Sequence, residues 1–471
     1  MTPETDTMTP LIARARLVVA GAVAMFAFGA CGKQTNDLLA VNIVGTITGS
    51  TVSSPAAADA LRTGALGAFN TITGGGQVWT FSDLTTDVWK TSDARQQSGE
   101  FDIGQAFNTD ADLENNYANL YVARARAAEA ITALNKYKPS PAWGIGQMYL
   151  VTGYAEMELA EYFCNGTPLS ASVNGVVVYG PPMTNQQVYA VAAAHLDTAM
   201  TFLTATDATT AALLNAAKIT KARVLVDMGQ FSSAATLVNG IPTAYTYQNT
   251  FSLAVLDNGI WNINTNTKRF TVGDSMDANG VIGNALPFAS ANDPRVKVLG
   301  TTLGKSSQGV GNDGGTNLVV LTNWGRDDAI NIVSGLDARL IEAEAALNNN
   351  DLAGMTAILN TLRATPPALS PTYTPPAMAV LLVPPDKTTA TTVYFREKAF
   401  WTFGRGGRLG DLRRLVRQYG RSHDAVFPTG IYFKTGAPYI SEPNLQISIL
   451  EAANPNVVLG ANSSYCLDRN P

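Results

Sequence analysis

The sequence predicts a helical protein built of helix pairs and interrupted once by a long irregular insertion. Three observations carry this expectation. Gly146–Ser170 is apolar, aromatic or small almost throughout, with Glu156, Glu158 and Glu161 as the main exceptions. A helix hydrophobic round its whole circumference must be covered on several sides, so other helices should pack about it. Amphipathic patterns of helical period, bounded by capping residues, recur on both sides of this stretch. Between 241 and 330 that pattern stops, and Asn, Thr and Gly dominate with short β-like runs.

With 471 residues the chain is long enough for a large core. Its charged fraction of 15% is low, against about 25% for average soluble proteins. The net charge of -5, with no basic run outside one C-terminal helix, argues against a nucleic-acid partner. At the N-terminus Arg14 and Arg16 precede an apolar run, Leu17–Phe28. At roughly a dozen residues it suits a signal-peptide core and is too short to span a bilayer. Phe28-Gly29-Ala30-Cys31 then resembles a bacterial lipobox, with cleavage before Cys31 and the lipid on Cys31. The alternative is an ordinary secretory signal cut after Ala30. The expected organisation is a signal peptide over 1–30, a polar tether over 31–54, and one helical-repeat domain over 55–471 containing the insertion at about 241–330.

The elements follow in order. Pro55–Ile72 carries Leu61, Ala65, Leu66 and Phe69 at helical spacing, and Gly74-Gly75-Gly76 breaks it. Gln77–Phe107 reads as loop with short helix. Thr109 and Asp112 form an acidic capping box for a helix with Leu113, Tyr117, Leu120, Ala128 and Ile131 on one stripe. Ser140 and Pro141 read as N-cap and first residue of the organising helix, and Asn165-Gly166 as its stop. Thr184 and Gln187 form a further capping box. Leu213–Met228 and Phe231–Val238 make a pair across Gly229, in a run that resembles the inter-helix turn of tetratricopeptide repeats. Helical pattern returns over Leu336–Leu347, restarts at Asp351 as N-cap, and after the Pro-rich 366–385 forms a last pair, Thr392–Phe403 and Leu409–Tyr419.

Four segments carry a family resemblance. They are the organising helix with Gly146-Gln147-Met148-Tyr149 and Leu159-Ala160-Glu161-Tyr162-Phe163; Asn292-Asp293-Pro294-Arg295; Ala338–Leu347; and Arg396-Glu397, Phe400-Trp401, Arg408 and Asp411-Leu412-Arg413-Arg414. Together with the lipobox they resemble the SusD/RagB family of outer-membrane nutrient-uptake lipoproteins. The resemblance implies an all-α fold of tetratricopeptide-like helix pairs in a curved scaffold with long irregular insertions. It implies a lipid-anchored protein of the outer membrane that faces the exterior, binds a nutrient such as an oligosaccharide, and delivers it to a SusC-like TonB-dependent barrel. It implies no catalysis and no cofactor.

The residues support that class in part. Glu158 and Glu161 share a helix face, but carboxylates on a buried helix are expected to pair with an arginine such as Arg124 or Arg126, which leaves no glycosidase pair. Val296–Ser306 mimics a phosphate loop, yet it is one residue short and runs into Gly-rich chain where a helix is required. His195 and His423 are the only histidines and have no ligand partners at metal spacing. Asp274–Gly280 lacks the closing Glu of a calcium loop and reads as a surface turn. Arg405, Arg408, Arg413, Arg414, Arg417 and Arg421 are the only basic concentration, expected to pair with Asp411 and Glu397 rather than to form a patch. With Cys31 lipidated, Cys164 and Cys466 remain, either bridged or as two free thiols. A sugar site needs aromatic faces beside hydrogen-bonding groups. The candidates are Trp79, Trp89, Trp261 and Trp324 in irregular stretches, with Asn262, Asn264, Asn323 and Arg326 as polar neighbours. An envelope scaffold for protein–protein assembly is the competing function.

Overall fold

Helix pairs make up most of the chain from Pro55 to Arg417. The computed structural model describes residues 52–173, 176–299, 301–302, 305–306, 309–458 and 464–471. The expected signal segment and Cys31 lie outside these residues, as do Gly300 and Gly304 of the phosphate-loop-like run. Among the described residues no helix is long and apolar enough to cross a membrane.

Helix α1 (Pro55–Asn70) starts at Ser54, whose hydroxyl accepts from the Ala57 amide. It runs into a wide turn at Thr71–Gly75, where Gly74 takes φ +100°. Helix α2 (Val78–Leu84), strand β1 (Trp89–Thr91) and helix α3 (Gln96–Asp102) fill the aromatic segment. Helix α4 (Ala111–Tyr137) is capped at Asp110, not Thr109. The expected capping box does not form, because Asp112 turns to Arg95 at 2.9 Å. Its buried stripe uses Ala123, Ala127 and Ala130, while Ala128 is exposed.

The organising helix α5 (Trp143–Tyr162) begins after Ala142, two residues later than the Ser140-Pro141 signal, and every residue except Trp143 and Tyr149 is buried. It packs against α1, α4, α6 (Asn185–Phe202) and α7 (Ala208–Asp227), which is the covering its composition demands. The Thr184–Gln187 capping box opens α6. Helix α8 (Phe231–Val238) follows Gly229, which takes φ +76°. In the insertion, strand β2 (Thr246–Asn249) pairs antiparallel with β4 (Ile330–Ser334), and β3 (Phe270–Val272) pairs with β1. Asp274–Gly280 is part of a small hairpin, with Met276–Asp277 paired to Gly280–Val281. Helices α9 (Gly335–Asn348) and α10 (Leu352–Ala364) form a pair. The expected last pair does not pack as one: α11 (Lys387–Trp401) lies on α9 and α10, α12 (Arg408–Arg417) lies on α5 and α2, and Lys398 reaches Asp411 between them at 2.6 Å.

Buried ion pairs join these helices. Arg405 reaches Asp337 at 2.9 Å, Arg408 reaches Asp87 at 2.9 Å, and Arg414 binds Glu344 and Asp411. Arg413 donates to the carbonyls of Ala160 and Glu161 at the end of α5. The basic concentration therefore faces inward, apart from the exposed contacts of Arg421. Glu397 is paired differently from expectation, with Arg295 at 2.6 Å and Arg363 at 2.9 Å. Of the two arginines expected to pair with the glutamates of α5, Arg124 does so, with Glu156. Glu161 pairs with Arg223 of α7, and Glu156 takes Arg124 at 3.0 Å and His195 at 2.7 Å, while Arg126 is exposed. Of the two cysteine alternatives the structure holds the bridge: Cys164 and Cys466 are bonded with a Cα–Cα distance of 5.6 Å, tying the C-terminal tail to the end of α5.

Candidate ligand site

Two remote segments of the insertion are stitched together at the surface. The Asn258 side chain caps a short helical turn, Gly259–Trp261, by accepting from the Ile260 and Trp261 amides at 3.0 Å each. Its own amide donates to the Arg326 carbonyl at 2.8 Å, and its side-chain nitrogen to the Asp328 carbonyl at 2.9 Å. Asp328 in turn accepts from the Gly325 amide and the Thr372 hydroxyl. Gly259 lets this turn sit against the Gly74–Gly76 break, since a Cβ there would lie 2.5 Å from the Gly74 carbonyl oxygen. Segments 257–262 and 325–328 are thus fixed in register by the backbone and side-chain hydrogen bonds of Asn258, which is what positions their side chains.

The result is a small polar-aromatic surface. The Arg326 guanidinium lies 5.7 Å from the Trp261 ring centroid and donates to Asp257 at 2.7 Å. Arg326 is 48% exposed and Asp257 22%, so the pair is open to a ligand. Asn262 accepts from the Asn266 side chain at 2.9 Å on the same turn. Leu253, Val255 and Leu256, immediately before Asp257, are exposed. A half-buried indole, aliphatic side chains and a fixed donor–acceptor pair together offer both halves of a saccharide's chemistry: C–H faces for the apolar groups and hydroxyls for the polar ones.

Of the residues nominated from sequence, the structure brings together Trp261, Asn262 and Arg326 and removes the rest from solvent. Trp79 and Trp89 are in the core at 1% and 0% exposure, and Trp324 is at 6%. Trp79 donates to Glu158 and Trp89 packs edge-on to Phe403, so neither offers a ring face to a ligand. Asn264 and Asn323 are internal bridges. Asn264 accepts from the Leu321 amide and donates to the carbonyls of Phe270 and Val319. Asn323 accepts from the Lys297 amide and donates to the Arg295 carbonyl. The ligand-facing reading of these five is corrected: the two asparagines satisfy backbone groups of the irregular chain, and the three tryptophans fill the core as large apolar side chains.

Sequence reasoning missed Asp257 and the loop Leu253–Leu256; the only signal was an apolar cluster inside an Asn/Thr-rich stretch. It also missed Phe433, half-buried between Lys90 at 5.1 Å and Lys434 at 5.8 Å from its ring centroid. Asp102, within electrostatic reach of both lysines, is nevertheless pushed by burial up to about 7. Among the described residues no cluster of His, Cys, Asp and Glu is placed to hold a metal.

No family model and no curated protein matches the chain. Solved structures do. The chain has the SusD-like fold. A SusD-like protein from Bacteroides fragilis aligns with a TM-score of 0.61 at 11% identity, over 85% of this chain and 95% of that one. A surface glycan-binding protein from Bacteroides uniformis aligns at 0.56 and 14% identity, over 85% and 98%. A laminarin-binding SusD-like protein aligns at 0.57 and 16% identity, over 87% and 100%.

Proposed function

We propose that this chain is a non-enzymatic glycan-binding protein of the outer membrane, anchored through lipid on Cys31 and facing the exterior. It holds an oligosaccharide against Trp261, Arg326 and Asp257 and passes it to a SusC-like TonB-dependent barrel. The observation that carries the reading is the open Trp261–Arg326–Asp257 surface on a fold shared with glycan-binding and laminarin-binding proteins. Residues 1–30 act as signal peptide, 31–54 as tether and 55–471 as the binding domain with its insertion at about 241–330.

Two measurements test this. Titration of the protein with a panel of neutral oligosaccharides, laminarin fragments included, should give saturable binding that Trp261→Ala weakens. Purification of the tagged, lipidated chain from detergent-solubilised outer membrane should bring down a large β-barrel. Outer-membrane location without barrel or saccharide affinity would transfer the assignment to an envelope scaffold.

A further inference from the structure

A second cavity lies in the repeat half of the molecule, between α9 and α10, and shares no residue with the Trp261 surface. It holds about 470 Å³, within the range of about 300–1,000 Å³ usual for small-molecule sites. Leu336, Arg339 and Glu342 stand at successive i, i+3 positions of α9 and form one wall; Ile358 and Leu362 of α10 form the other. The stretch 243–246 and the Pro366-Pro367 pair complete the lining. The Tyr245 hydroxyl is committed to the Ala212 carbonyl at 2.6 Å, so this residue contributes its ring as wall.

The polar groups select among ligands. Arg339 donates through one terminal nitrogen to Glu342 at 2.7 Å. The Arg339 side chain is 23% exposed and that of Glu342 20%, so both heads stay reachable from the cavity they line. The guanidinium and the carboxylate cancel, so the cavity presents no net charge to attract an ion. It presents donors, an acceptor, the hydroxyls of Thr243 and Thr246, and aliphatic and aromatic walls. That combination fits an uncharged ring carrying hydroxyls on its edge and C–H groups on its faces.

We propose that the groove between α9 and α10 is a second binding site, for an uncharged saccharide of one or two rings, with Arg339 and Glu342 as its polar contacts. It shares the ligand class of the function proposed above but none of its residues, so the two readings fail separately. Hydrogen–deuterium exchange of the full chain tests it, with laminaribiose, cellobiose and maltose as probes and a uronic-acid disaccharide as the charged control. At least one neutral probe should protect peptides covering 243–246, 336–342 and 358–367. That protection should survive Trp261→Ala and need about tenfold more sugar in Arg339→Ala. Thr246→Trp, at an exposed strand position, should block the groove while leaving the melting temperature unchanged. Protection confined to 257–262 and 325–328 overturns the groove and leaves the proposed function standing. Protection nowhere counts against both. Equal protection by the charged control, or groove protection that persists in both groove variants, overturns the assignment of Arg339 and Glu342.

Discussion

The indole nitrogen of Trp79 donates to Glu158 at 2.6 Å in the core, where both side chains are fully covered. Burial, only partly offset by this bond, pushes the Glu158 carboxyl up to about 8. Burial likewise raises Asp83 to about 7 and Glu161 to about 7. These groups keep their protons in the folded chain at pH values where the unfolded chain has lost them. The folded state therefore binds more protons between the ordinary carboxylate range and about pH 8, and stability falls as pH rises through that window. At acid pH the sign reverses. Burial alone would raise Asp337 and Asp411, but Arg405 outweighs it at the first and Lys398 with Arg414 at the second, so both sit below the ordinary value of 3.8. Their contribution is lost as pH drops through that range. Thermal melts across pH should peak between about pH 4 and 5 and decline toward pH 8. Glu158→Gln, which mimics the protonated acid, should flatten the decline; a melting temperature that rises from pH 5 to 8 refutes this account.

Arg414 is expected to be the most damaging single charge to remove. It is 2% exposed and binds Glu344 of α9 and Asp411 of its own helix, so truncation leaves the buried Glu344 carboxylate without its cation and Asp411 with Lys398 alone. Arg414→Ala should cost about 3–5 kcal/mol in urea unfolding. Arg414→Lys should recover only part, because an ammonium cannot fork to both acids. A loss below about 1 kcal/mol would show that water replaces the arginine.

The Cys164–Cys466 bridge closes a loop of 302 residues in sequence separation. The paired substitution Cys164→Ala with Cys466→Ala should lower stability by about 2–5 kcal/mol. The tail should then become the first site of proteolysis, with cleavage near Leu467 as the readout. An unchanged cleavage pattern would mean that hydrogen bonds hold the tail without the bridge: the Leu467 N–H to the Asn165 carbonyl, the Asn165 side chain to Asp468, and the Asn444 side chain to the Arg469 carbonyl.

Glycines on two helices should respond with opposite sign. A Cβ on Gly153 of α5 would lie 2.7 Å from Leu196 Cγ and 3.1 Å from the Ala192 carbonyl oxygen, so Gly153→Ala must push α6 away. It should cost about 1–3 kcal/mol. Gly64 of α1 has nothing within 4 Å of its Cβ position, so Gly64→Ala should stabilise by about 0.5–1 kcal/mol. Denaturant midpoints of the two variants, moving in opposite directions, check the close approach of α5 and α6.

Trp261→Ala should reduce oligosaccharide affinity by about tenfold or more, in line with a contact worth about 1–2 kcal/mol. Its melting temperature should stay near that of the parent, because the ring is only half-buried. Trp324→Phe, in the core, should lower the melting temperature and leave affinity intact. Calorimetric titration with melting curves separates the two; the reverse pattern would relocate the site.

The sequence by itself determined the helix that the rest surround and the helix pairs before the Pro-rich linker, but not how the last two helices pack. The composition of 146–162 demanded cover on several sides, and Thr184, Asp351 and Gly229 marked element ends through local hydrogen bonding and backbone freedom that need no distant partner. Starts went wrong where a distant residue claimed the cap: Asp112 turned to Arg95. The ligand surface was legible only as a set of candidates. Trp89 and Trp261 occupy similar polar, irregular sequence, yet one lies against Phe403 in the core and the other stands beside Arg326 at the surface. Tertiary structure alone decided between them, because burial of an aromatic in irregular chain depends on what a remote segment places over it. The same holds for the charges: spacing along α12 gave its local Asp411 contact, but Glu344, Asp337 and Asp87 come from segments tens to hundreds of residues away.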